Sequence, residues 1–216
     1  MIENLFTQAL GLTAPWVVRE VRFAPEQRRI DFAVTAQRGA RFACPACGAG
    51  DMPVHDRLDR SWRHLDLFQF EAFIHAAVPR VKCRACGKVT QVEVPWARPG
   101  SPFTLLFEAF MLSLASPMSV AQLASPLRVG DGPLCRVLNH HTQAARAQES
   151  YADVRDVGVD ETASRAACMH NAKVEAMNRA LQQARPRSRR VDNYITMVFL
   201  IAGKLKHLPD NPFAHA

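Results

Sequence analysis

The sequence of 216 residues contains no hydrophobic run long enough to cross a membrane. Its most apolar stretch, residues 194–203, covers about ten residues, whereas a spanning helix needs about 20. This length predicts a buried helix segment instead. The first residues contain neither a basic segment nor a long apolar one, so no secretion signal is expected. The sequence also lacks internal repeats and low-complexity tracts. These absences predict a globular protein that resides in the cytoplasm.

Cysteine is scarce, with six in the chain, but four of the six form two matched pairs. The first motif reads Cys44-Pro-Ala-Cys47 and the second reads Cys83-Arg-Ala-Cys86, each followed directly by glycine. Two thiolates three positions apart across a tight turn can hold one metal ion from the same side. A second pair completes the tetrahedral four-sulfur site that zinc prefers. The glycine suits a turn whose backbone conformation is costly for other residues. The four cysteines therefore predict a structural Zn²⁺ site.

Two other chemistries are compatible with paired cysteines. Disulfides require an oxidising compartment, which the N-terminal sequence does not indicate. A thioredoxin-like redox motif would explain one pair but not two. His64 lies between the pairs and could compete as a ligand, but four cysteines already satisfy the metal, so we expect His64 at the surface or in a polar contact. The single cysteines Cys135 and Cys168 are expected to be inert packing residues.

The net charge of +7 and the pI of about 9.4 suit a polyanionic partner. Residues 1–100 contain 14 Lys/Arg against 10 Asp/Glu, and residues 160–216 contain 9 against 5. Residues 101–150 are balanced, with 3 of each sign. The basic surface is therefore expected in the region of the paired cysteines and in the C-terminal tail.

Residues 16–23 and 29–35 are rich in β-branched and aromatic side chains and are separated by a turn-prone stretch, which predicts a β-hairpin. Residues 68–81 alternate loosely between apolar and polar and predict a strand that leads to the second cysteine pair. The proline-rich residues 95–102 interrupt regular structure and mark a domain boundary.

Three helices are predicted after this boundary. Residues 103–114 show an apolar stripe with helical spacing. The second helix begins with Ser119 as its N-cap, and the third has Pro133 as its first residue and reaches about Ala145. A short helix, a glycine-containing turn and a second helix are typical of a helix-turn-helix. Its recognition helix would offer Arg136, Asn139 and His140 to a DNA groove. A helical hairpin that packs on another part of the protein remains the alternative.

The C-terminal part combines a short strand, a helix and a basic loop. Residues 156–161 predict a buried strand that ends in carboxylates, and residues 173–183 predict an amphipathic helix. Residues 193–205 predict a strongly apolar helix. The basic loop between the two helices either contacts phosphates or is simply solvated. Its arginines are Arg185, Arg187, Arg189 and Arg190.

Several motifs follow one another in a recognisable order. The two cysteine pairs are followed by Trp-Arg-His-Leu-Asp-Leu at 62–67 and by Val-Pro-Trp-Ala at 94–97. Val-Gly-Val-Asp-Glu-Thr at 157–162 and Asn-Ala-Lys-Val-Glu-Ala-Met-Asn at 171–178 complete the series. With these motifs the chain resembles the bacterial insertion-sequence transposases of the ISL3 family over nearly its whole length.

The resemblance implies an α+β protein in three parts. An N-terminal β-rich zinc-binding domain would cover residues 1–98 and a helical helix-turn-helix domain residues 99–150. Both would recognise the terminal inverted repeats of the element in double-stranded DNA. Residues 151–216 would be a fragment of a ribonuclease-H-like catalytic domain. In the intact family two Asp and one Glu hold two Mg²⁺ ions for strand cleavage and transfer. By position, Asp160 matches the first Asp and Glu175 the Glu.

The chain departs from the family in its catalytic part. Only 14 residues separate Asp160 from Glu175, where the family places most of the sheet, several helices and the second Asp. A link of this length cannot contain them. We therefore interpret the chain as an internally deleted transposase that binds DNA, in which Asp160 and Glu175 are vestigial and two-metal chemistry fails. The alternatives are an active recombinase, complemented by a second copy or by an intact transposase, and a zinc-ribbon module for protein interaction.

Overall fold

The computed structural model describes residues 2–115, 118 and 120–148. The chain divides into two compact units between Glu108 and Ala109. The predicted α+β class is confirmed for the described residues, although a short helix precedes the first strand. In chain order the helices and strands are α1 (Ile2–Ala9), β1 (Trp16–Ala24), β2 (Arg29–Ala36), β3 (Val54–Leu67), β4 (Phe70–Lys82), β5 (Val89–Gln91), α2 (Leu105–Ala115), α3 (Val120–Leu127) and α4 (Asp131–Gln148).

Several predictions concern residues outside this set. The ribonuclease-H-like fragment over residues 151–216, the N-cap Ser119 and Cys168 lie outside the described residues. The same is true of the predicted catalytic and phosphate-contact residues, which are Asp160, Glu175, Arg185, Arg187, Arg189 and Arg190. None of the helices that the structure describes is long and apolar enough to cross a membrane.

The first unit is built on one five-stranded sheet with the strand order β1-β2-β4-β3, in which β5 pairs with β4. The predicted hairpin is confirmed, since β1 pairs antiparallel with β2 around the 3-10 turn Pro25–Gln27. The next strand in the sheet, β4, runs parallel to β2, and β3 is antiparallel to β4. β4 ends directly before Cys83, so the prediction of a strand leading to the second cysteine pair is also confirmed.

One face of this sheet is buried, because alternate residues of β2 and β4 point to the same side. Its centre contains Phe32 and Ile74, both about 1% exposed. Trp96 packs edge-on against Trp16 and Trp62, with ring centroids 4.9 and 5.6 Å apart, an arrangement that the ring quadrupoles favour. The Trp96 contacts tie the segment that follows β5 to the sheet.

Helix α1 was missed by the sequence analysis. It is only eight residues long and none of its residues is fully buried, so its apolar pattern is weak. It is held by tertiary contacts: the Phe6 ring lies 5.1 Å from Phe32, and the Thr7 hydroxyl accepts a hydrogen bond of 2.9 Å from the Val18 N–H. Short helices in general depend on such packing.

The helices occur where the sequence predicts them, with two corrections to their first residues. α2 begins at Leu105, since Thr104 acts as its N-cap and its hydroxyl accepts from the Phe107 N–H at 3.3 Å. α4 begins at Asp131, so Pro133 is its third residue instead of its first. A proline is tolerated there because N–H groups of the first turn have no partner within the helix.

The second unit has its own apolar core. α3 and α4 contact each other, and the turn between them places Arg128 in the left-handed region, at a φ of 53°. The Val129 N–H donates to the Ala124 carbonyl at 3.1 Å, which closes the end of α3. The largest fully buried side chains that the structure describes in this unit are Met111, Leu123, Leu134, Val137 and Leu138.

Candidate metal centre and nucleic-acid interface

The four cysteines converge on one point. Their Sγ atoms all lie within 4.8 Å of one another. The Cys44 and Cys86 sulfurs are 3.8 Å apart, and the Cys47 and Cys83 sulfurs are 3.5 Å apart. A tetrahedral zinc ion with bonds of about 2.3 Å requires sulfurs about 3.8 Å from each other. The chemistry and spacing of this set therefore fit Zn²⁺, as the sequence predicts.

Two backbone turns of the same design carry the cysteine pairs. In the first, the Gly48 N–H donates to the Cys44 carbonyl and the Cys44 N–H donates to the Ala49 carbonyl, both at 2.8 Å. The second turn repeats these bonds around Cys83, at 3.0 and 2.9 Å. The φ angles of Gly48 and Gly87 are 74° and 70°, which explains why glycine follows each pair.

The environment of the thiols favours a bound cation. Burial acts to raise the pKa of the Cys44 thiol, but backbone N–H groups of Ala46 and Cys47 outweigh it and bring the pKa to about 6. The Ala49 N–H lowers the pKa of Cys47, but the Cys83 thiol, burial and the Cys44 and Cys86 thiols together outweigh this bond, and the pKa rises to about 11. The Cys86 N–H lowers the pKa of the Cys83 thiol. Zinc would displace the remaining thiol protons on binding.

The Trp-Arg-His-Leu-Asp-Leu stretch at 62–67 serves the fold and not the metal. Arg63 is 6% exposed, pairs with Asp66, and lies 5.3 and 5.1 Å from the ring centroids of Phe73 and Phe107. The half-buried His64 places its Nδ1 2.9 Å from the Thr104 hydroxyl and is not part of the cysteine cluster. The prediction that His64 makes a polar contact is confirmed.

Acid is expected to destabilise the first unit through His64. Burial and the adjacent Arg63 lower the pKa of His64 to about 4, whereas an unfolded histidine titrates near 6.5. Between these two pH values the unfolded chain binds one more proton at His64 than the folded protein does. The free energy of unfolding therefore decreases as the pH is lowered, and at pH 5 it is about 2 kcal/mol below its value at neutral pH. Urea unfolding of wild type and His64→Gln at pH 7 and pH 5 measures this difference. An equal gap between the two proteins at both pH values would contradict it.

A polar network that the sequence analysis missed crosses the opposite face of the sheet. His75 Nδ1 lies 2.6 Å from the Ser61 hydroxyl, and His75 Nε2 lies 2.5 Å from the Asp31 carboxylate. Burial acts to raise the pKa of Asp31, but bonds from Arg29 and His75 lower it overall. In a Ser-His-Asp triad the Nε2 atom faces the serine and Nδ1 faces the carboxylate. The imidazole of His75 has the opposite orientation, so these residues are not arranged as a triad. They form a structural hydrogen-bond network across three strands, which no local sequence pattern could reveal.

The predicted recognition helix is α4. Its buried residues are Leu134, Val137, Leu138, Thr142 and Ala145. Arg136 and His140 are exposed on the other side, one turn apart, and Asn139 beside them is half-buried. The three predicted DNA-contact residues therefore lie together near the middle of α4, on the side away from the core of its unit.

Two family models match the chain. The model of the zinc-finger of transposase IS204/IS1001/IS1096/IS1165 matches residues 40–86, which include all four clustered cysteines. The model of the helix-turn-helix domain of transposase family ISL3 matches residues 92–142, which include α2, α3 and most of α4. These segments coincide with the metal centre and the helical hairpin described above.

Two curated proteins from Mycobacterium tuberculosis, one from strain CDC 1551 / Oshkosh and one from strain ATCC 25618 / H37Rv, are similar to the chain. Each is called transposase for insertion sequence element IS1557 and is 28% identical over 165 residues. The aligned part is 73% of this chain but only 37% of the relative. No solved structure matches. The zinc-ribbon segment at residues 40–86 and the helix-turn-helix segment at residues 92–142 are thus similar to those of ISL3-family insertion-sequence transposases.

Proposed function

We propose that this chain binds the terminal inverted repeats of an insertion sequence as double-stranded DNA. The observation that carries the proposal is a four-cysteine cluster with zinc spacing, followed by a helical hairpin whose second helix exposes Arg136 and His140. The first feature lies in the segment matched by a transposase zinc-finger model and the second in the segment matched by a transposase helix-turn-helix model, and both support the proposal. The net charge of +7 adds a general attraction to phosphates.

Helix α4 is the element suited to the major groove. An arginine can make two hydrogen bonds to guanine and an asparagine two to adenine, which is the usual basis of direct readout. Arg136 and Asn139 offer these groups on neighbouring turns of α4. The zinc would fix the two cysteine turns, and arginines around them would contact the backbone without reading sequence.

Replacing Arg136 with alanine is expected to weaken binding to terminal-repeat DNA by about 10- to 100-fold and to relax the preference over a scrambled duplex. Fluorescence anisotropy with the zinc-loaded full chain, at two salt concentrations, measures both effects. Arg146→Ala, in the last turn of the same helix, is the matched control and is expected to leave the sequence preference unchanged. Equal affinity of wild type for both duplexes would contradict the proposal.

We further propose that the chain does not cleave DNA by itself. Two-metal chemistry needs carboxylates that a rigid scaffold orients. The 14 residues between Asp160 and Glu175 include one acidic residue, Glu161, directly beside Asp160, and are too few to form the missing sheet. Purified protein incubated with terminal-repeat DNA and Mg²⁺ or Mn²⁺ is expected to leave both strands intact. Metal-dependent cleavage that disappears in Asp160→Ala would contradict this part of the proposal.

A further inference from the structure

One edge of the sheet in the first unit is open along part of β3. β4 pairs with one side of β3. On the other side, the Arg63 N–H donates to the Pro102 carbonyl at 2.9 Å and the Arg63 carbonyl accepts from the Thr104 N–H at 3.0 Å. Backbone groups alternate in direction along a strand, so those of Arg57 and Asp59 face the same side as those of Arg63. Within residues 2–115, 118 and 120–148, they have no hydrogen-bond partner there.

The five residues at this open edge are complementary to themselves. They read Asp-Arg-Leu-Asp-Arg at 56–60, and all are exposed except the half-buried Asp56. We propose that β3 pairs antiparallel with β3 of a second copy of this chain, around a two-fold axis at Leu58. Asp56 then faces Arg60 of the second copy, and Arg57 faces Asp59. By symmetry the interface contains four opposite-charge pairs.

The backbone fits the same arrangement. Arg57 and Asp59 both point their N–H and C=O groups outward, so each such pair exchanges two hydrogen bonds, giving four across the axis. The Leu58 side chain, 40% exposed, meets its own copy at the centre. The register of β3 against β4 shifts between Val54 and Asp56, so the regular part of β3 begins at Asp56. The paired segment therefore ends where Asp56 meets Arg60, before Arg63, where the chain at Pro102–Thr104 already occupies the edge.

The charges select this register over its neighbours. A shift by two residues places Asp59 opposite Asp59, or Arg57 opposite Arg57, and like charges directly opposite each other destabilise a sheet. Charged edge strands commonly prevent pairing with unrelated strands. The charges on this edge therefore disfavour pairing with unrelated strands. They favour pairing with the same edge of a second copy, in the one register that places opposite charges across from each other.

The interface is small, and the dimer is accordingly weak. Pairing of five residues buries less than the area of about 1,200 Å² that stable specific interfaces reach. We expect a dissociation constant between about 10 μM and 1 mM. Salt should weaken the dimer, because its charge pairs are exposed. Two copies held on neighbouring DNA sites would pair more readily, through their raised effective concentration. This last step alone rests on the proposed function.

A charge-exchange experiment without DNA tests the proposal. Sedimentation equilibrium of the zinc-loaded full chain is measured from about 10 μM to about 0.5 mM. In a dimer of Arg57→Asp, the new aspartate faces Asp59 at two symmetry-related positions. In a dimer of Asp59→Arg, the new arginine likewise faces Arg57 at two positions. Each variant alone is expected to dimerise at least about 10-fold more weakly than wild type. An equimolar mixture restores all four opposite-charge pairs and is expected to recover the wild-type affinity, which a purely structural defect could not do.

Matched controls separate the interface from net charge. Arg19→Asp makes the same charge change as Arg57→Asp, but on β1, the strand at the other edge of the sheet. Glu26→Arg makes the same charge change as Asp59→Arg, in the turn that follows β1. Both should dimerise as wild type does. A wild-type chain that stays monomeric at about 0.5 mM, a dimer that tolerates both edge variants, or a mixture that fails to recover would each overturn the proposal. DNA binding by the monomeric variants is measured separately, so failure here leaves the proposed function standing.

Discussion

Replacing Cys83 with alanine is expected to remove zinc from the protein and to abolish specific DNA binding. Structural zinc sites contribute roughly 10–16 kcal/mol in small zinc domains. Loss of one of four thiolates should therefore weaken zinc affinity by at least about 100-fold. The apolar core of the sheet contains none of the four cysteines, so it does not depend on them. The turns should therefore open while the sheet persists.

Metal analysis after dialysis against a weak chelator measures the zinc loss, and limited proteolysis reports opening of the turns. Cys135→Ala is the matched control, because Cys135 lies in α4 and outside the cysteine cluster. It is expected to keep one zinc ion per chain and full DNA affinity. Retention of zinc by Cys83→Ala at wild-type affinity would show that the cluster is not the metal centre.

Replacing Glu108 with alanine is expected to destabilise the first unit by about 3–5 kcal/mol. The Glu108 side chain is fully buried, and its carboxylate accepts a bond of 2.9 Å from Arg98 Nε and one of 2.5 Å from the Ser101 hydroxyl. Removal of this carboxylate leaves the largely buried guanidinium of Arg98 without its counter-charge. Such an orphaned charge costs far more than a lost surface pair.

Urea unfolding followed by tryptophan fluorescence measures this effect, since Trp16, Trp62 and Trp96 all belong to the first unit. Glu20→Ala is the control, because its pair with Arg22 is exposed to solvent and should contribute little to stability. Glu108→Gln keeps an acceptor for the Ser101 hydroxyl, so its loss of unfolding free energy should lie between those of Glu108→Ala and Glu20→Ala. A loss no larger than that of the control would mean that the pair is not isolated from water.

The clustering of the four cysteines was predictable because its signal is local. Two cysteines three positions apart, followed by glycine, specify a turn whatever the rest of the chain does, and both turns formed as expected. Sequence patterns likewise located the hairpin and the helices α2, α3 and α4. They missed α1 and misplaced the first residues of α2 and α4, because tertiary contacts or a capping side chain decide these points.

The charged contacts inside the first unit were beyond sequence reasoning. Glu108 is the single acidic residue in the otherwise apolar α2, which is the one signal that pointed to a buried partner. That this partner is Arg98, ten residues earlier, depends on how the chain after β5 folds against the sheet. The network of Asp31, His75 and Ser61 likewise joins residues of three strands.

The sequence by itself determined the cysteine cluster, the hairpin and the helices α2 to α4, because spacing and alternation act over a few residues. Only the tertiary structure decided that β4 lies beside β2 in parallel and that β3 is at an edge. Parallel pairing joins strands far apart in the chain, and its stability comes from burying one face of the whole sheet. The self-complementary residues 56–60 acquire meaning only once that edge is known.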